Sequence, residues 1–173
     1  TVDKVSTSLL SAEINTKPAS VTDMLKKLRA KRIVHYQRYK GFSLTEAGNK
    51  KALSIIRKHR LWEYFLVNKL GFEWDEVHMV AEELEHITSN ELIIRLDKFL
   101  GNPSFDPHGD PIPDQHGKIK SLKQANLSTI PLKKTASVSS VRNQSAEMLE
   151  MLNHFQIGIG TKLKIIRRFE FDG

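Results

Sequence analysis

Glutamate and histidine recur at helical spacing in two short segments of this 173-residue sequence. His59 stands four residues before Glu63, and the run VHMVAEELEH carries His78, Glu82, Glu85 and His86, with His78/Glu82 and Glu82/His86 again four apart. Residues four apart share a helix face with Cβ atoms about 5–6 Å from each other, near enough to ligate one ion or two neighbouring ions. Val77, Val80, Ala81 and Leu84 take the opposite face of the second segment. A single such pair is more often a solvated ion pair than a ligand set. Three linked pairs on two adjacent helices read as a cation site. The sequence has no cysteine, so a metal must be held by carboxylate, imidazole, carbonyl or water. A carboxylate-rich set of that kind suits manganese(II) or iron(II). Glu83 and His86 also spell one Glu-x-x-His half-site of a di-iron bundle, but such a site needs a second copy on another helix. None is present, nor any His-Glu-x-x-His motif, and the reading is therefore not an enzyme.

The elements that must position these residues follow from periodicity. Thr45 caps a long helix to Leu70 that carries His59 and Glu63; further helices are expected from about Trp74 to Ile87 and from Ser89 to Leu100. Ahead of them, Ser8 to Ile14 and Ala19 to Lys31 read as two helices joined by a short polar turn, a helix-turn-helix. Ile33 to Gln37 and Phe42 to Leu44 form a basic hairpin, or wing. A recognition helix opening near Pro18 would turn Lys17, Ser20, Thr22, Asp23, Lys26 and Lys27 toward a major groove, while Arg38, Lys40 and Tyr36 on the wing would meet phosphates or the minor groove.

Charge separates along the chain in the same order. Residues 1–60 carry a net +10, residues 61–100 a net −6 and residues 101–173 a net +3. A cationic block of that size is the usual footprint of phosphate binding, and a compact acidic block rich in His is what a divalent cation requires. No apolar run approaches the roughly 18 residues of a membrane helix, and a cytoplasmic location is the default expectation. The proline-rich stretch Asn102 to Gly117 is an irregular loop, 121–137 a polar linker, Ala146 to Leu152 a short helix, and Thr161 to Phe171 a β-rich end.

Five segments in this order, ASVTDMLKKLRAKRIV, SLTEAG, RKHRLWEYFL, VHMVAEELEHITSNEL and DPHGDPIP, resemble the diphtheria toxin repressor and manganese transport regulator family of metal-dependent repressors. The resemblance covers nearly the whole chain. It implies a mainly α fold: a winged helix-turn-helix over 1–50 lacking its first helix, a helical metal-binding and dimerisation domain over 51–120, a linker over 121–137 and the start of a truncated SH3-like β domain over 138–173. It implies a homodimer binding palindromic double-stranded operator DNA, with two metal ions per subunit. Glu82, Glu85 and His86 match the family's primary cluster, and His59, Glu63 and His78 its second cluster. An acid at Glu82, where iron-responsive members carry cysteine, favours manganese. Glu147 lies near a region through which the third domain reaches the second cluster. The alternative left open is a winged-helix regulator that metal does not control.

Overall fold

The structure, a computed structural model, describes residues 4–87 and 89–168. The chain divides into two compact units, Thr1–Ser54 and Ile55–Gly173.

In the first unit, helix α1 (Thr7–Glu13) starts at Ser6, whose Oγ accepts the Leu9 amide at 3.1 Å. Residues 14–17 turn the chain into α2 (Pro18–Ala30), which opens on a proline that lacks only an amide no helix would use. Val21 and Leu25, four apart, bury one face of α2 completely. Strands β1 (Val34–Gln37) and β2 (Gly41–Leu44) pair antiparallel from Val34↔Leu44 to Gln37↔Gly41. The core holds Val21, Leu25, Val34 and Tyr36, with Leu10, Leu28, Ile33 and Phe42 packed against it. Tyr36 therefore does not serve on the outer surface of the wing. Strand side chains alternate, and β1 buries Val34 and Tyr36 while exposing His35 and Gln37. Val5 bridges to Phe42 beside the wing, and Gly41 sits at φ +80° where a Cβ would lie 2.4 Å from the Val5 carbonyl oxygen. Only glycine fits there.

Helix α3 (Glu46–Leu70) is capped by Thr45, whose Oγ1 accepts the Gly48 amide at 2.9 Å. In the second unit, α3 packs with α4 (Val77–Ile87) and α5 (Asn90–Phe99) around two apolar clusters. One holds Leu61, Ile93, Leu96, Leu100 and Ile112; the other holds Leu66, Val77 and Ala81. The periodicity begins α4 at Trp74, but Trp74 to Glu76 form a turn, and Trp74 is buried beside a loop histidine. That loop, 102–118, is irregular but ordered by its own side chains. Asp106 Oδ1 accepts the amides of His108 and Asp110, each at 2.9 Å.

Beyond it, β3 (Thr135–Ser137) pairs antiparallel with β4 (Lys162–Lys164), and α6 (Ala146–His154) lies between them in sequence. β3 thus falls in the stretch expected to be a polar linker, and it belongs to the same compact unit as α4 and α5. Of the expected β-rich end, only Lys162–Lys164 is a strand within the described residues; the part after 168 lies outside them.

Candidate functional site

Four of the six Glu and His residues singled out by spacing converge. His59 and Glu63 occupy successive turns of α3, and His59 Nε2 lies 3.0 Å from Glu63 Oε1 and 3.1 Å from Nδ1 of His78 on α4. The other ring nitrogen, His59 Nδ1, lies 3.0 Å from Glu85 Oε2. Glu85 therefore fixes the orientation of the His59 ring and leaves Nε2 facing Glu63 and His78, the carboxylate–histidine arrangement common behind metal-bound imidazoles. Donor atoms of His59, Glu63 and His78 all lie within 4.8 Å of one another.

Glu82 and His86 are not drawn into this cluster. Glu82 is exposed and makes no ion pair among the described residues, and the largely exposed His86 approaches only Glu85, at 3.9 Å. The helix explains it. At 3.6 residues per turn, position 85 points within about 20° of position 78, whereas 82 and 86 swing away by about 40° and 80°.

Glu63 also belongs to a second group that the helical spacing could not reveal. Its Oε2 lies 3.9 Å from Nδ1 of His108, and Glu63, Asp106 and His108 offer donor atoms within 4.8 Å of one another, all three buried. The Nε2–H of His108 donates to the Trp74 carbonyl at 2.7 Å, and its ring stacks on the indole. Nδ1 is thus left as a lone-pair acceptor, and it is a buried polar atom without a hydrogen-bond partner. A buried imidazole lone pair aimed at two carboxylates lacks only a cation. The residues therefore fit a divalent ion held by oxygen and imidazole. The signal for this group was present in DPHGD, an acid and a histidine two apart in an ordered loop.

Electrostatics point the same way. Burial by itself would lower the His59 pKa, but the hydrogen bonds and charges of Glu63 and Glu85 outweigh it and leave the pKa raised. Burial pushes Glu63 up, yet His59, His108 and His78 hold it below the ordinary value. Asp106 is raised to about 6, chiefly by burial and further by the neighbouring Glu63 and Asp110 carboxylates, against the backbone amide of Asp110 and the charge of His108. Arg60 braces this side, with Nε 3.3 Å from Asp106 Oδ2 and a terminal nitrogen 3.0 Å from Asp110 Oδ2.

In the first unit, Lys17 and Pro18 open α2; Ser20, Asp23, Lys26 and Lys27 are exposed along it and Thr22 is half-buried. Ser20, Asp23 and Lys27 share one face, opposite Val21 and Leu25. Lys26 pairs with Asp23 at 3.0 Å. On the wing Arg38 and Lys40 are exposed around Tyr39, which is 89% exposed with the Arg38 guanidinium 4.8 Å over its ring. Tyr39, not Tyr36, is the aromatic the wing presents. Its place between two cations at the hairpin tip was the available clue.

This is the architecture of a winged helix-turn-helix joined to a helical, carboxylate- and imidazole-lined cation-binding domain. Two family models match it: the N-terminal DNA-binding domain of the iron-dependent repressors over residues 1–42, and their metal-binding and dimerisation domain over residues 45–114. A manganese-dependent transcriptional repressor solved in complex with manganese superposes with a TM-score of 0.88 at 36% identity, covering 100% of this chain and 79% of its own. The manganese regulator SloR gives 0.77 at 32% identity, over 99% and 79%. The iron-dependent repressor IdeR of Mycobacterium tuberculosis is 47% identical over 70 residues, 40% of this chain and 30% of its own length. An uncharacterised HTH-type transcriptional regulator of Methanocaldococcus jannaschii is 38% identical over 96 residues, 56% of this chain and 77% of its own. The chain belongs to the iron-dependent repressor family. It spans between 17% and 30% of the length of the first curated relatives it matches.

Proposed function

We propose that this chain is the DNA-binding and metal-sensing part of a homodimeric transcriptional repressor that grips operator DNA when loaded with manganese(II) or iron(II), and that it is not an enzyme. The observation that carries this is the convergence of His59 and His78 on one side of the Glu63 carboxylate and of Asp106 and the orphaned Nδ1 of His108 on the other. Glu63 would lend one carboxylate oxygen to each side. Glu85 would hold the His59 ring in place, and Trp74 would fix the His108 tautomer through its carbonyl. Glu82 and His86, with Glu85, would complete a further set on α4. A divalent cation, when bound, supplies the positive charge these buried carboxylates lack. To admit it, His59 must shed the proton it shares with Glu63. His59 and Glu63 on α3 and His78 on α4, which ion pairs already draw together, would then hold the ion between the two helices.

The DNA side would use Lys17, Pro18, Ser20, Thr22, Asp23, Lys26 and Lys27 at the start of α2 to approach base edges and phosphates, with Arg38 and Lys40 on the wing. No helix among the described residues is long and apolar enough to cross a membrane, and a cytoplasmic protein acting on the chromosome accords with the basic first block. A second reading has its own observation: His59 already finds a carboxylate on each ring nitrogen, as a purely structural ion-pair network would provide.

A duplex selected from a random-sequence pool in manganese(II) decides between them by gel shift. Manganese is expected to tighten binding by about 5- to 150-fold over chelator, toward a Kd of about 10⁻⁸ to 10⁻¹¹ M. Equal affinity in chelator and in metal would leave only the ion-pair network.

A further inference from the structure

The second unit carries a concentration of positive charge that the cation site does not use. Residues 115–168 contain ten Lys and Arg against two acids, Glu147 and Glu150. Its strand pair puts part of this charge on one face. In the register Ser137↔Lys162 and Thr135↔Lys164, these four side chains are exposed, while Ala136 and Leu163 turn to the half-buried side. Lys133 joins the pair through its amide, 2.7 Å from the Ile165 carbonyl, and Lys134 follows it; both are exposed.

Three exposed cations elsewhere in the chain are neutralised locally, Lys26 by Asp23, Lys50 by Glu46 and Arg95 by Glu91. Among the described residues, no carboxylate lies within 4.0 Å of Lys133, Lys134, Lys162 or Lys164. Lysines two apart on a strand stand roughly 6.6 Å from each other on the same face, and such like charges repel. A row of phosphates relieves that repulsion along its length. The Thr135 hydroxyl sits between the lysines as a neutral donor, one of the groups that commonly contact DNA backbone. Ser137 is already committed to the Gly160 carbonyl at 3.0 Å.

We infer that the β3–β4 face, with Lys133 and Lys134 beside it, is a second phosphate-contacting surface for duplex DNA, separate from the helix-turn-helix. The inference rests on the repressor reading for its partner. It assigns Lys133, Lys134, Lys162 and Lys164 a sequence-independent, salt-sensitive share of the affinity.

The test is the salt dependence of binding by the metal-loaded full chain to a mixed-sequence duplex of about 40 base pairs, some four helical turns, between about 50 and 200 mM salt. Each phosphate contact contributes about 0.9 to the slope of log K against log salt. Lys162→Gln with Lys164→Gln should therefore reduce the slope by about 1.8 for each protomer that meets the duplex and weaken binding on the order of tenfold per lysine at about 0.1 M salt. Lys133→Gln with Lys134→Gln should act alike, and Lys162→Arg with Lys164→Arg should keep the slope. Thermal unfolding and manganese stoichiometry, measured on the same variants, should not move. An unchanged slope in both glutamine variants overturns the inference. If the variants instead lose binding to phosphatidylserine vesicles, or change only the monomer–dimer balance in sedimentation, the face belongs to a membrane or to a second copy and the inference also falls. Metal dependence on the pool-selected duplex is read separately, so failure of the repressor reading would show in the unsubstituted chain.

Discussion

Glu63 is the residue on which the two candidate cation positions meet, and its environment is built for a charge it cannot supply alone. Buried against His59, His78 and His108, its carboxylate is pushed up by burial yet held below the ordinary value by these neighbours, His59 first among them. Glu63→Gln keeps the shape and removes the charge, so calorimetry should find manganese lost from both positions, not from one. Retention of the full stoichiometry would refute the shared-ligand assignment. Asp106 gives the pH signature. Its folded pKa is raised to about 6. Relative to the unfolded chain its contribution is therefore fully present below the ordinary carboxylate value and is lost as pH rises through about 6. Asp106→Asn retains the Oδ1 that accepts the His108 and Asp110 amides. The metal-free variant should accordingly gain thermal stability over the unsubstituted chain as pH climbs from about 4 to about 7, and manganese should then restore the unsubstituted chain more than the variant. A stability difference that does not change with pH would refute the cause assigned. His59, Glu63 and His78 were legible because helical spacing places them in advance. Asp106 and His108 were not, because a loop's side chains are aimed by tertiary contacts such as the Trp74 carbonyl. Tyr36 turns inward because strand alternation, not the charge of the hairpin around it, sets its side.

At the scale of the elements, the caps and breaks were largely readable. Thr45 and Ser89 open helices that the sequence places, and each hydroxyl accepts a first-turn amide; Ser6 and Ser145 cap α1 and α6 in the same way and emerge only from the structure. Trp74, an apolar residue three before Val77, fits helical periodicity but lies outside α4. Its burial answers instead to stacking on His108 and to the bond from its indole nitrogen to Asn153, at 2.6 Å. β3 was hidden in a polar, lysine-containing stretch whose strand character comes only from its partner β4. One junction carries a prediction with an unusual sign. Gly48, in the first turn of α3, lies where a Cβ would meet the Ile33 carbonyl oxygen at 2.0 Å, and Thr45 Oγ1 approaches that same oxygen at 3.0 Å. An alanine in place of a helical glycine ordinarily stabilises by about 0.5–1 kcal/mol. Here backbone blocks it, so Gly48→Ala should destabilise by about 2 kcal/mol or more, seen as a lower unfolding midpoint with the manganese stoichiometry intact. An alanine variant as stable as the original would mean that the wing and the start of α3 are less closely joined than described.

For the molecule as a whole, the charge blocks follow the proposed division of labour along the chain: a cationic first block for phosphates, an acidic second that with Asp106 and His108 would hold metal, and a cationic third that includes the face of β3 and β4. A cation site and a nucleic-acid site in one chain make a regulated binder only if each changes the free energy of the other. Linkage makes that demand quantitative, since the factor by which manganese tightens DNA must equal the factor by which DNA tightens manganese. If the coupling lies in the usual range of about 1–3 kcal/mol, manganese titrated calorimetrically into the complex with the pool-selected duplex should bind about 5- to 150-fold tighter than into free protein. The same factor should separate the DNA affinities with and without metal. Glu63→Gln should shrink both factors together, because it acts on the shared ligand and leaves α2 and the wing untouched. A variant that lowered manganese affinity yet left the DNA response to saturating manganese whole would place the coupling elsewhere in the acidic block, with Glu82, Glu85 and His86 on α4 the residues to substitute next.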